Sequence, residues 1–293
     1  MNSALHQEIS REQGFEVYEL RNEAVSLAVI PELGAKVISL KNLRTGREWL
    51  WHPRGERKFF RNRVGDDFAT STLVGWDECI PTIAPCQFAG RTLPDHGEAW
   101  QVPWALDATA WSRGEIKTSV KLLVSSLKFE RTLRLEGDEV IADYSLVNLG
   151  PQPEQFLWAM HALLAIQPGD QLELTNEARK FLVREPWLHS LEFGDREPAC
   201  AKVFAGPLRE GRAGVRSANS GDGLEIRWDT KANPLLGIWL TRGGWHGHEH
   251  LALEPTNGAP DALAEAAASA TPPLMLASLA SAKWRVQIHL SSK

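Results

Sequence analysis

Cysteine and tyrosine are scarce in this 293-residue chain, which has three of the first and two of the second. The cysteines, Cys79, Cys86 and Cys200, are odd in number and thinly spread. That argues against a disulfide framework and for reduced thiols in a cytoplasmic protein. Basic charge is not in excess either: 32 Lys and Arg face 37 Asp and Glu, for a net charge of -5. There is thus no electrostatic reason to expect nucleic acid or an anionic membrane as partner. No apolar run reaches the length of a membrane-crossing helix. The opening MNSALHQEIS lacks the basic start and apolar stretch of a secretory signal. Repeats, linkers and low-complexity blocks are missing too, so residues 1–293 read as one domain.

Helical periodicity is nearly absent as well; only 261–270, DALAEAAASA, reads as a helix. What the chain has instead is alternation. Trp284, Val286, Ile288 and Leu290 point one way, and Arg285, Gln287 and His289 the other. The same period of two runs through 117–122, 139–146 and 224–229. Further strands are expected near 15–20, 24–30, 35–41, 128–135, 155–165 and 235–241. Gly137 and Asp138 mark a hairpin between two of them. The stretch 191–223, rich in Gly, Arg and Glu, reads as an irregular surface excursion. Many strands with so little helix predict an all-β protein, a large antiparallel sandwich or barrel.

Four segments break the structural patterning. Gly75-Trp76-Asp77-Glu78 sets two carboxylates side by side, and Asp95-His96-Gly97-Glu98 is a dense polar group. His161 interrupts the apolar run Trp158–Leu164, and Glu254 closes the apolar run that starts at Leu251. Buried ionisable groups are uncommon unless paired, so two of them in apolar strands point to a site. A histidine and a glutamate also make a natural acid–base couple near neutral pH.

The segments DHGEAWQVPW, WAMHALLAI and GIWLTRGGWHGHEHLALEPTNGAPDAL, with AVSLAVIPELGAKVISLKNLRTGREWLW at the amino-terminal end, resemble the aldose 1-epimerase (mutarotase) family. That resemblance implies the galactose mutarotase-like super-sandwich, with a sugar cleft across one sheet. It implies that Glu254 is the base that takes the proton from the anomeric hydroxyl. By the same match His161 is the acid that protonates the ring oxygen, and His96 a second histidine hydrogen-bonded to the sugar. Asp77, Glu78 and, on a looser match at Asn62 and Arg63, the Arg63 guanidinium are expected to bind hydroxyls. The chemistry calls for no metal or other cofactor. Glu254 is expected to have a raised pKa, and His161 to be partly protonated near neutrality.

Other readings come from the same residues. His246, His248 and His250 alternate, and on a strand they would share a face that could hold zinc. Asp77 or Glu78 with Glu254 would suit a glycosidase, and a sugar binder without turnover needs only the cleft. Trp76, Trp100, Trp239 and Trp245 are candidates for stacking on a sugar ring, Trp245 foremost because two glycines precede it. A phosphorylated sugar would need clustered cations. Only Arg63 and Arg242 offer themselves, so the expected partner is an unphosphorylated small-molecule sugar. The expected assembly is a monomer or weak homodimer.

Overall fold

A computed structural model describes residues 5–55, 57–189, 191 and 197–292. Two antiparallel sheets pack face to face. The nine-stranded sheet runs, edge to edge, through His6–Glu12, Phe15–Arg21, Val25–Ile30, Lys36–Asn42, Trp76–Cys79, Ala159–Leu164, His248–Thr256, Leu235–Trp245 and Ala199–Ala205. The eight-stranded sheet runs through Asp170–Leu174, Gly211–Ser217, Gly223–Trp228, Ser281–Ser291, Glu139–Asn148, Leu127–Glu136, Ile116–Lys121 and Ala105–Leu106. The alternating segments form strands as expected, and the hairpin at Gly137 pairs Glu136 with Glu139.

Burial explains the alternation. In Leu127–Glu136 every second residue from Leu127 to Leu133 is buried, and Val140, Ala142, Tyr144 and Leu146 face the same layer from the neighbouring strand. They meet Trp158, Met160, Ile238 and Leu253 of the other sheet in one continuous core. Trp158 lies 4.9 Å from Tyr144 and 5.0 Å from Trp284, ring centre to ring centre, and locks the layers together. The inner strand Ala159–Leu164 is buried on both faces. Loops cover its outer side, which is why it reads as a continuous apolar run.

Arg131 occupies an apolar phase of its strand, between Phe129 and Leu133. Its guanidinium crosses the core to Glu78 at 2.8 Å, and both side chains are fully buried. The Glu78 carboxylate also accepts from the indoles of Trp76 and Trp158 and from the Tyr144 hydroxyl. A buried charge is tolerated only with its partner and its hydrogen bonds in place. Glu78 therefore ties the two sheets together, and the expectation that it binds substrate is corrected: it points into the core, on the opposite face from Asp77.

Three other expectations change, and one strand is new. Ala199–Ala205 and Gly211–Ser217 are strands within the stretch read as irregular, of which 192–196 lie outside the described residues. The first is an edge strand and only half-buried, so its alternation is weak. The polar opening, past residues 1–4, which lie outside the described residues, continues into an exposed edge strand, His6–Glu12. The expected strand at 155–165 divides into Glu154–Gln155 and Ala159–Leu164, and the helix shortens to Leu263–Ala267. Among the described residues no helix is long and apolar enough to cross a membrane.

Arg131→Met is expected to lose about 3–5 kcal/mol of stability in urea unfolding, because it strands the Glu78 charge in the core. A loss below about 1 kcal/mol would show that the pair does not hold the layers.

Candidate active site

Strand registers build the site on the outer face of the nine-stranded sheet. Ala159 opposes Thr256 and Leu163 opposes Ala252, so His161 lies across from Glu254. Glu254 in turn opposes Gly237, and Phe204 also opposes Gly237 from the far side. Gly237 makes the room: a Cβ there would stand 3.0 Å from Glu254 Oε2. One row further along, Lys202 opposes Trp239 and Trp239 opposes Ala252. Asn257 fastens the two inner strands together, accepting from Trp158 N at 2.7 Å and donating to Phe156 O at 3.1 Å.

Loops close the sides. Asp95 accepts from His96 Nδ1 at 2.9 Å and from the Phe68 amide at 3.0 Å. It thereby joins the histidine to a turn whose Phe68 ring stacks on the imidazole, centroids 4.0 Å apart. His96 itself adopts a left-handed φ of 54°, which is strained backbone for a side chain of its size. Gly97 follows at φ 75°, where a Cβ would collide with the Ile80 carbonyl at 2.2 Å. This close approach brings the His96 and His161 rings to 5.0 Å. The resulting cleft, of about 200 Å³, is lined by Glu254, His161, His96, Lys202, Trp239 and Trp245, among others. That is below the roughly 300–1,000 Å³ of drug-sized sites and suits a single small ring.

Burial sets the charges. His161 Nε2 lies 3.9 Å from Glu254 Oε1, and Glu254 is inaccessible to solvent. Desolvation raises the Glu254 pKa against the pull of Lys202. It pushes His161 well below the ordinary histidine value, helped by the positive charge of Lys202 and Lys36 and by His96 and His250. The expectation of a partly protonated His161 is therefore corrected: it is neutral in the resting site. Partial burial works against ionisation of Asp95, yet its bonds to His96 and to backbone amides hold its pKa low. Among the described residues, neither oxygen of Glu254 nor His161 Nδ1 makes a hydrogen bond, although Lys202 forms an ion pair at 2.8 Å from Oε2.

The other expected site residues fall on both sides of the cleft wall. Trp239 and Trp245 line it at right angles, 6.2 Å apart. Asp77 lies on the same face as His161, but it is buried outside the lining and paired with Lys36. Arg63 is exposed on a loop away from the lining, and Arg242 stacks on Trp187 at 4.6 Å. The expected hydroxyl contacts from Asp77, Glu78 and Arg63 therefore do not form a wall of this cleft. Trp76 and Trp100 are fully buried and present no face to a ligand. Of the three alternating histidines, His250 lines the cleft and accepts from the Trp239 indole at 3.2 Å. His248 packs against Trp51 and Trp245, and His246 sits in the turn at φ 49°. Among the described residues no three metal-ligating side chains converge. Lys202, Phe68 and Asp261 are lining residues that sequence reasoning missed.

The backbone that carries this cleft has counterparts among solved structures. A galactose mutarotase-like protein from Clostridium acetobutylicum superposes with a TM-score of 0.74, 12% identity and 99% of each chain covered. A protein provisionally named an aldose 1-epimerase, from Klebsiella pneumoniae, gives 0.73 at 16% identity, over 98% of this chain and 83% of the other. Another provisionally named so, from Escherichia coli K12, gives 0.68 at 16%, over 96% and 100%. This chain has the galactose mutarotase-like fold. No protein-family model matches the sequence, and no curated protein does. Within the galactose mutarotase-like sandwich, then, the activity has to be argued from the site.

His250 supplies a test of the electrostatics. Burial, then His248, lowers its pKa to about 3, against about 6.5 in an unfolded chain. Between those values the unfolded state binds a proton that the native state refuses, so stability falls as pH drops below 6.5. His250→Gln keeps an acceptor for Trp239 and removes this penalty. Between pH 7 and pH 5 it should lose about 2 kcal/mol less stability than the wild type. Parallel losses in urea titrations at the two pH values would refute a buried neutral His250.

Proposed function

We propose that the protein is an aldose 1-epimerase-like isomerase that interconverts the α and β anomers of a free, unphosphorylated sugar. The observation that carries this reading is the Glu254–His161 couple: a buried carboxylate and a neutral imidazole facing one small cleft, each with an atom left without a partner. Anomer exchange moves one proton off the O1 hydroxyl and one onto the ring oxygen. Glu254 takes the first, and His161, once protonated, gives the second; the ring opens to the aldehyde. Rotation about C1–C2 and reversal of both transfers close the other anomer. The resting couple holds no such proton, so His161 first takes one up from solvent; that proton then stays on the couple through opening and closing, and no other atom has to enter or leave. His96, oriented by Asp95, hydrogen-bonds the sugar beside the ring oxygen.

Trp239 and Trp245 offer an apolar corner for the C–H face of the ring. Lys202 is the one lysine or arginine among the described residues lining the cleft, and Glu254 and Asp261 share it. A phosphate or carboxylate on the sugar would find no uncommitted cation there, which supports an uncharged substrate. The aldose 1-epimerase names of two structural neighbours agree with this reading but belong to those proteins.

Polarimetry of freshly dissolved α-aldoses tests it. The wild type is expected to speed equilibration of at least one aldose, and Glu254→Gln to slow that rate about 10²–10⁴-fold while still binding the sugar. If a broad panel binds but equilibrates no faster than in buffer, the protein is a sugar binder. Release of aryl alcohol from aryl glycosides would instead make it a glycosidase.

A further inference from the structure

Lys202 belongs to no expected feature of the sequence, yet it is the cation nearest the proposed base. Its ammonium lies 2.8 Å from Glu254 Oε2 and 2.7 Å from Asp261 Oδ1, with the lysine side chain only 16% exposed. The strand Ala199–Ala205 delivers it from the sheet edge, with its stem running beside Phe204, whose ring centre is 5.3 Å from Nζ. Asp261 comes from the opposite wall, where its carbonyl accepts the amides of Ile83 and Ala84. The two carboxylates thus compete for one ammonium. Lys202 forms its ion pair on the Oε2 side of the carboxylate, and Oε1 is the oxygen that faces His161.

We propose that Lys202 is a positioning residue, which holds Glu254 ionised with Oε1 aimed at the substrate, and that Asp261 tempers that grip. This assignment rests on Glu254 being the base. The groups facing Glu254 are Lys202 and Asp261, His161 and His96, and the buried thiol of Cys79, with His250 on its own strand. Of these, Lys202 brings the cation and Asp261 the second carboxylate. Desolvation alone would drive the Glu254 carboxyl toward its neutral form, which cannot accept a proton; Lys202 opposes that shift and Asp261 adds to it. Lys202 is itself held charged: burial opposes this, but its two carboxylates raise its pKa above the ordinary lysine value. An amine kept protonated in this way is no nucleophile, so its role is electrostatic.

The two neighbours therefore predict shifts of opposite sign. Lys202→Met should move the Glu254 titration to higher pH by a unit or more, a tenfold change in proton affinity. Lys202→Arg should hold it near the wild-type position, and Asp261→Asn should lower it. The direct readout is the carboxyl ¹³C resonance of labelled Glu254, followed from pH 4 to 9 in the sugar-free protein. The acidic limb of kcat/KM for anomer equilibration should move in step. An unshifted Glu254 midpoint in Lys202→Met would overturn the proposal. If that variant does not fold, Asp261→Asn decides: a lower midpoint supports it and an unchanged one overturns it. If the wild type turns over no sugar, the epimerase reading fails, yet the carboxyl titration still decides what Lys202 does.

Discussion

A carboxylate taken out of water must meet a cation or give up its charge. That constraint sorts three acids in the inner strands of the nine-stranded sheet. Glu78 faces the core and is saturated by Arg131, two indoles and a tyrosine hydroxyl. Asp77 faces outward and is closed off by Lys36. Glu254 also faces outward, but its lysine is shared with Asp261, and one of its oxygens lies at the cleft wall across from an imidazole. The first acid ties one layer to the other, and the second is neutralised by a buried lysine. The third is left with capacity to accept a proton.

The sandwich makes this sorting possible because neighbouring residues on a strand point to opposite faces. A row of cross-strand neighbours, Phe204, Gly237, Glu254, His161 and Asp77, crosses the outer face. It places an acid and a base side by side without any loop having to find them. The loops add what the sheet cannot: His96 on strained backbone, the Phe68 ring above it, and Asp95 connecting the two. Strands position the Glu254–His161 pair, and loops close the sides of the cleft around it.

Much of this was legible in the sequence. His161 and Glu254 stand out because the first interrupts an apolar strand and the second closes one, and burying an ionisable group there is costly without a purpose. Asp77 and Glu78 could not both bind sugar hydroxyls, because adjacent residues in a strand point to opposite faces and only one of them can look towards the cleft. Arg131 carried the missing clue, since it occupies an apolar phase of an alternating strand and so announces a buried acid elsewhere. Lys202 carried none. Its strand lies at the sheet edge, half-buried, in a stretch dense with Arg and Glu where no alternation survives. Trp76 and Trp100 show that the sequence can count aromatic faces but cannot tell which of them a second layer covers.

Exchange spectroscopy on 1-¹³C-labelled aldoses at anomeric equilibrium addresses the central claim most directly, because it observes the α and β carbons of one sugar trading places. An epimerase at substoichiometric concentration should produce α–β exchange cross-peaks, absent from buffer, for at least one uncharged aldose. Resonances that broaden on binding across a wide panel, with no gain in α–β exchange for any sugar, would contradict it.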